Sequence, residues 1–460
     1  MKHKFHTSIL RAYDIRGIIG ETLSANDSYN LGYKFSCYTR RGDKASRVIV
    51  GYDGRLSSKL LHKRLIQGLI DAGSTVTSIG LCPSPVLYYA NKVMNADGAI
   101  MITGSHNPAN YNGFKMLAGG NSLYGKFIHE LVNTKKKGLK QKGVLYKYNI
   151  EESYLIEITK EIKNIRSDIK VVWDPGNGAA GNILKKLVKL LPGKHYLLNT
   201  AIDGTFPSHH PDPTEEKNLK QLKLAMNRVS ADIGIAFDGD GDRIGIINND
   251  NNFISGDKLL FIFASEVIKK NPGATIISDV KASNKIFDQI AKIGGKPLMW
   301  KTGHSFIKEK MKTSGALLAG EMSGHIFFAD HYYGFDDALY ASIRLLLILE
   351  NKKKLNDTLK PFSNLVSTNE IKIFCKDEIK FRVIKKGITL IKKKYPKVNT
   401  IDGIRVNTDR GWWLLRASNT QPALIARCEA ESNDNLAKLK EEVINLLKKC
   451  GIKICSNTFI

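Results

Sequence analysis

The stretch "AIMITGSHNPANYNGFKM", Ala99 to Met116, begins as a buried strand and breaks into a polar loop at Thr103. A short apolar run bounded by turn residues reads as a strand covered on both faces. Its surroundings repeat the pattern. "RVIVGYDGR" (47–55) is another apolar strand, followed by an amphipathic helix from Ser57 to Ala72. "STVTSIG" (74–80) is a strand and "SPVLYYANKV" (84–93) a helix. Strands alternating with helices predict an α/β unit with parallel pairing. Ser105 then lies at the carboxyl end of a strand, where such sheets gather ligand groups.

Working outward, the lysine-rich "NTKKKGLKQKG" (133–143) reads as a solvated connection to a second unit. There "IKVVWDPGNGAAG" (169–181) is a strand with a glycine-rich turn, and "ADIGIAFDGDGDR" (231–243) a strand ending in an acidic loop. A third unit opens near Asp257 with the helix "DKLLFIFASEVIKK". It continues through the strand "TIISDV" and the helix "SNKIFDQIAKI" to "ALLAG", which ends in Glu-Met-Ser-Gly-His. The last part differs. "EIKIFC", the helix "FRVIKKGITLIKKKYP", hairpin strands within 403–430 and the closing helix "NDNLAKLKEEVINLLKKC" predict an α+β domain. The expected division is 1–148, 149–254, 255–365 and 366–460.

The chain has 460 residues, 42% of them hydrophobic, enough for several packed cores. No apolar run approaches the roughly 20 residues that span a bilayer; that around Leu345 to Leu349 is short and flanked by Arg344 and Glu350. The N-terminal residues are basic without the apolar stretch of a signal peptide. Cys37, Cys82, Cys375, Cys428, Cys450 and Cys455 are scattered and form no Cys-x-x-Cys. A cytoplasmic protein with reduced thiols and no structural zinc is the expectation. The net charge is +26, from 70 Lys and Arg against 44 Asp and Glu. That is either a nucleic-acid or anion surface or compositional drift. The Lys-Lys-Lys runs are dispersed without interleaved aromatics, which favours drift.

Four loops carry chemistry. "DGDGDR" places Asp238, Asp240 and Asp242 at alternate positions, where carboxylates on one side of an extended loop call for a hard cation such as Mg²⁺. In "TGSHNP", Ser105 stands beside His106 with Lys115 downstream; the spacing is not a hydrolase elbow, and locally it leaves Ser105 nearer a turn residue than a nucleophile. "RASNTQP" (416–422) offers a guanidinium, hydroxyls and an amide suited to a phosphate, or an ordinary polar turn. "GEMSGH" (320–325) alternates Glu321, Ser323 and His325, suited to sugar hydroxyls or a satisfied turn, and "KTGHS" adds His304.

Taken in order with "RAYDIRG" (11–17), these motifs resemble the α-D-phosphohexomutase family over the whole chain, on its bacterial phosphomannomutase/phosphoglucomutase branch. Phosphoglucosamine mutase is the nearest enzyme alternative, and a basic nucleic-acid-binding protein the alternative outside enzymes. The resemblance implies four domains around a central cleft, three of them related α/β domains with mixed sheets. It implies reversible conversion of mannose or glucose 6-phosphate and 1-phosphate through a phosphoserine and a hexose 1,6-bisphosphate. Ser105 would carry the phosphoryl group, with Asp238, Asp240, Asp242 and that phosphate on Mg²⁺. Arg16, His106, Lys115, Arg243 and His325 would serve catalysis. Glu321 and Ser323 would contact sugar hydroxyls, Arg416, Ser418, Asn419 and Thr420 would bind the non-reacting phosphate, and Tyr13, Lys281 (in "SDVKAS"), His304, His325 and Arg427 would also bind the substrate. Lys115, His325 and Arg16 are the candidates for proton transfer. A mobile fourth domain would let the intermediate turn over. Neither membrane nor nucleic acid is an expected partner, and the chain would be a monomer or weak dimer.

Overall fold

A computed structural model describes residues 3–349, 354–419, 421–454 and 459. The quoted stretch is a strand, a loop and a returning strand. Gly98–Ile102 (β4) runs parallel to Arg47–Tyr52 (β2), which is parallel to Thr75–Leu81 (β3), itself parallel to Val144–Lys147 (β7). Tyr111–Ala118 (β5) comes back antiparallel to β4, with Met101 opposite Lys115. Ile15–Ile18 (β1) and Asn121–Ser122 (β6) pair antiparallel with β5. The sheet order is β1-β5-β4-β2-β3-β7. The parallel pattern expected from strand–helix alternation therefore stops at β4. The eight residues from 103 to 110 are too few for the crossover that a parallel partner requires.

This device recurs. In the second sheet, Lys170–Asp174 (β8), Lys194–Leu197 (β9) and Ile233–Phe237 (β10) are parallel. Ile244–Asn248 (β11) returns antiparallel to β10, with Phe253–Ile254 (β12) at its edge. In the third, Thr275–Asp279 (β13), Lys296–Trp300 (β14) and Leu318–Gly320 (β15) are parallel, and Ile326–Phe328 (β16) returns antiparallel to β15. The fourth sheet is antiparallel throughout: Val366–Ser367 (β17), Ile371–Phe374 (β18), Ile404–Thr408 (β19), Gly411–Ala417 (β20) and Ala423–Ala430 (β21). Helices Asp377–Lys392 and Asn433–Lys449 pack with it. Each polar signature thus sits in one kind of place, the short connection into an antiparallel return: 103–110 between β4 and β5, 238–243 between β10 and β11, 321–325 between β15 and β16, and 418–422 between β20 and β21.

The core explains how these loops meet. One continuous apolar cluster runs from Val86, Leu87 and Tyr88 through Tyr154, Trp173 and Phe237 to Ile276, Phe328 and Phe362, joining the first three sheets. The fourth has its own core around Trp413, Leu424 and Val443. It meets the third through a small patch of Val280, Trp412 and Leu414. The apolar run near Leu345 belongs to the buried helix Ala338–Ile348. No helix among the described residues is long and apolar enough to cross a membrane. Five described cysteines are free and buried; Cys455 lies outside the described residues.

Candidate active site

Ser105 is buried and adopts a left-handed backbone, φ +48°. Its Oγ donates to Asp238 Oδ2 at 2.8 Å, and its N–H donates to Thr103 Oγ1 at 2.8 Å. His106 Nδ1 lies 3.4 Å from the same Oγ. Burial holds the His106 imidazole well below the usual range, and Arg243 and Arg16 reinforce this. Arg16 donates to Asp14 Oδ2 and Asn107 Oδ1, both at 2.5 Å, so it joins the first strand to the serine loop.

Asp238, Asp240 and Asp242 are fully buried and converge with ligand oxygens within 4.8 Å of one another. Convergence does not come from alternation along an extended loop. Asp238 Oδ1 accepts from the N–H groups of Asp242 and Arg243 at 3.2 Å, and Gly241 takes φ +73°, so the loop is a tight turn folded on its own first carboxylate. Lys115 donates to Asp240 Oδ2 at 2.7 Å and to Asp242 Oδ2. Burial opposes the charge on Lys115, but Asp240 and Asp242 outweigh it and hold the amine protonated. Burial, then Asp240 and Asp242, push Asp238 well above the usual carboxylate range. Negative charge therefore exceeds what Lys115 compensates. Asp240 Oδ1 is buried without a hydrogen-bond partner, and Asp242 Oδ1 is buried with only the His325 ring nearby, 3.3 Å from Nε2. Oxygen donors, excess negative charge and the unpartnered Asp240 Oδ1 fit a hard divalent cation.

In the third loop, Glu321, Ser323 and His325 also meet through a turn. Glu321 N–H donates to His325 O at 3.0 Å around Gly324, φ +82°. Glu321 Oε2 and Ser323 Oγ both lie 3.0 Å from His325 Nδ1, and Gly303 N–H donates to Glu321 Oε1 at 2.6 Å. His325 Nε2 faces Asp242 Oδ1 at 3.3 Å, tying this loop to the acidic one. Burial works against the His325 imidazolium, but Asp242 raises it to about 9. His304 begins the helix His304–Ser314, with its Nδ1 3.5 Å from Asp336 and its ring 5.6 Å from that of His325. Lys281 is paired with Glu370 at 2.6 Å across the third and fourth domains.

From the fourth domain, Arg416 is buried and oriented by Asp402, Nε to Oδ2 at 3.0 Å. Ser418 Oγ accepts from Gln421 N–H at 3.2 Å. Tyr13 is raised to about 12 by burial, against the opposing effects of Arg416 and a hydrogen bond with Asn419. Thr420 lies outside the described residues. Arg427 lines the cleft too, but it donates to the Lys281 carbonyl and lies 5.5 Å from the Trp412 ring, so it also braces the boundary between the third and fourth domains.

One cleft of about 810 Å³ brings these groups together. Tyr13, Arg16, Ser105, His106, Lys115, Arg243, Lys281, His304, Glu321, Ser323, His325, Arg416, Ser418, Asn419 and Arg427 all line it. The three aspartates stand behind Ser105 and Lys115.

Four family descriptions match successive parts of the chain: "Phosphoglucomutase/phosphomannomutase, alpha/beta/alpha domain I" over 7–142, domain II over 152–251, domain III over 255–365, and the C-terminal domain over 370–446. A phosphomannomutase/phosphoglucomutase of Pseudomonas syringae pv. tomato is 45% identical over 446 residues, 96% of this chain and 95% of the relative. The chain belongs to the phosphoglucomutase/phosphomannomutase family. A phosphoglucomutase of Neisseria meningitidis is 40% identical over 448 residues, covering 94% of this chain and 95% of the relative. The crystal structure of a phosphoglucomutase/phosphomannomutase family protein from Burkholderia thailandensis superposes with TM-score 0.88 at 40% identity, covering 97% and 98% of the two chains.

Within this family member, several groups at the site escape a motif reading. Asp14 and Asn107 hold Arg16, Asp402 holds Arg416, and Glu370 holds Lys281. Ser84, from the first domain's helix Ser84–Val93, donates its hydroxyl to Asp240. Asp402, Glu370 and Ser84 lie outside the quoted motifs and carry no local signature, whereas Asp14 and Asn107 stand within "RAYDIRG" and "TGSHNP".

Proposed function

We propose that this chain interconverts hexose 6-phosphate and hexose 1-phosphate, of mannose or glucose, through a phosphoserine at Ser105 and a hexose 1,6-bisphosphate. One observation carries the reading. The Ser105 hydroxyl rests on Asp238 in the same cleft as Arg416, Ser418 and Asn419, a second anion-binding loop in another domain. A sugar carrying one phosphate fits that pair of stations.

Arg416, Ser418, Asn419 and, by its motif, Thr420 bind the non-reacting phosphate. Glu321 and Ser323 grip sugar hydroxyls, with Lys281, His304, Tyr13 and Arg427 on the surrounding wall. The free sugar hydroxyl attacks the phosphorus on Ser105. An O–P bond forms to the sugar as the Ser105 Oγ–P bond breaks, and the serine oxygen takes up a proton. After the bisphosphate turns over, its other phosphoryl group returns to Ser105. Arg16, His106 and Arg243 surround the phosphoryl group and steady its charge. Lys115, His325 and Arg16 are the candidates for moving the hydroxyl proton; the acidic loop holds both Lys115 and His325 as cations, and His325, raised only to about 9, is the easier of those two to cycle through its neutral form. A divalent cation on Asp238, Asp240 and Asp242, Mg²⁺ by donor type, would stabilise the serine oxygen as leaving group.

We place the domain boundaries at 148/149, 254/255 and 365/366, and read the chain as cytoplasmic, a monomer or weak dimer, with no nucleic-acid or membrane partner. The test offers mannose 1-phosphate, glucose 1-phosphate and glucosamine 1-phosphate in parallel, with Mg²⁺ and glucose 1,6-bisphosphate. Faster turnover of the first two is expected. Dominant turnover of glucosamine 1-phosphate would overturn the substrate assignment.

A further inference from the structure

Arg55 lies at the end of β2, outside the lining of the cleft, with its side chain fully buried. Its guanidinium makes an unusual set of bonds. Nη2 donates to the carbonyls of Ser105 at 2.7 Å and Asn107 at 2.6 Å; Nη1 donates to those of Pro108 at 2.5 Å and Tyr111 at 3.0 Å. Three carbonyls of the serine loop and that of Tyr111, where β5 begins, thus converge on one side chain. Asp53 completes the frame. Its Oδ2 accepts from Gly104 N–H at 3.1 Å and lies 3.2 Å from Arg55 Nε, while Ser58 Oγ donates to Oδ1 at 2.5 Å. Gly104 fits because it lacks a side chain: a Cβ there would stand 2.5 Å from Arg55 Cζ.

The second domain closes the other side. The Phe206 ring lies over the guanidinium, 5.0 Å from Cζ, and Phe206 is itself held at φ +54°. Gly239, in the acidic loop, approaches so closely that a Cβ would lie 2.5 Å from the Ser105 carbonyl oxygen. That oxygen is therefore fixed by Arg55 and pressed by the loop that carries Asp238 and Asp240. We infer that Arg55, clamped by Phe206, is a positioning residue that sets Ser105 against the acidic loop for phosphoryl transfer. A planar donor fork suits this task, because one point charge cannot direct bonds to four carbonyls. The inference rests on Ser105 being the phosphate carrier.

The test compares wild type, Arg55→Lys and Phe206→Leu. The readouts are the single-turnover rate of Ser105 phosphorylation by glucose 1,6-bisphosphate with Mg²⁺, kcat and KM for glucose 1-phosphate, and Tm. Arg55→Lys is expected to lower the phosphorylation rate and kcat by about 100-fold, the scale of a misplaced reacting group, with KM within about threefold. Phe206→Leu is expected to lower both rates by about tenfold. If Arg55→Lys yields no folded protein, Phe206→Leu decides. Variants phosphorylated at the wild-type rate, with only Tm lowered, would overturn the positioning role and leave the functional reading standing. A wild type that takes no phosphate on Ser105 would overturn both.

Discussion

At the scale of single residues, Ser105 is held in a costly conformation. A non-glycine residue with positive φ costs about 1–3 kcal/mol, and the Thr103, Asp53 and Arg55 contacts offset it. The aspartates store a second cost, carboxylates buried together with incomplete compensation. Binding a cation there should stabilise the folded state. At a concentration 100 times Kd the gain is about 2.7 kcal/mol, read as a rise in Tm with Mg²⁺. Asp240→Asn is expected to abolish the Mg²⁺-dependent rise and most of the activity; a variant with an undiminished rise would show that the ion binds elsewhere. The aspartates were legible because three acidic residues around glycines have few other uses. Arg55 was not. "GYDGR" carries nothing in its local pattern to say that four carbonyls some fifty residues later will settle around its guanidinium.

At the scale of elements, the residue pattern marked where polar loops follow strands and read the fourth loop as a hairpin, but in the first three domains it did not show that each loop turns into an antiparallel return strand. β5 shows why. "YNGFKMLA" mixes apolar, glycine and lysine residues, so its pattern does not announce a strand. Its place is set by pairing with β1 and β4. Lys115 reaches Asp240 from it, so its role depended on a pairing invisible locally. The helix Ser58–Asp71 permits a separate test. His62 packs against Tyr52, ring centroids 4.7 Å apart, and lies 3.0 Å from Ser78 Oγ. Burial pushes its imidazole down to about 4. The folded state therefore prefers the neutral ring. Its contribution is complete above the unfolded value near 6.5 and is lost as pH falls from there to about 4, by at most about 3 kcal/mol. Stability measured by denaturant titration across that window should fall in wild type and fall less in His62→Gln. Parallel curves would show that His62 does not set this pH dependence.

At the scale of the molecule, one core binds the first three domains, whereas the fourth has its own. Its boundary with the third is tied by Arg405 to the Val280 carbonyl and Asn284, and by Ser283 to Glu429 at 2.6 Å. Across the cleft it meets the first domain through Arg11 and Asp377 at 3.1 Å, and the second through Lys372 and Glu215 at 3.8 Å. The far rim is thus held by ion pairs at the surface, worth little each, and the near boundary by buried contacts. If the fourth domain swings to let the bisphosphate turn, it hinges on the third and opens at Arg11. Joining Arg11→Cys and Asp377→Cys with a short thiol crosslinker should suppress steady-state turnover reversibly; full activity in the joined form would exclude the swing. The proposed function turns on Ser105 of the first domain, which would carry the phosphate that the other three domains help to pass. Intact mass of wild type and Ser105→Ala, after incubation with glucose 1,6-bisphosphate and Mg²⁺, tests it most directly. Wild type is expected to gain the mass of one phosphoryl group and the variant none. An unmodified wild type, or equal modification of both, would contradict it.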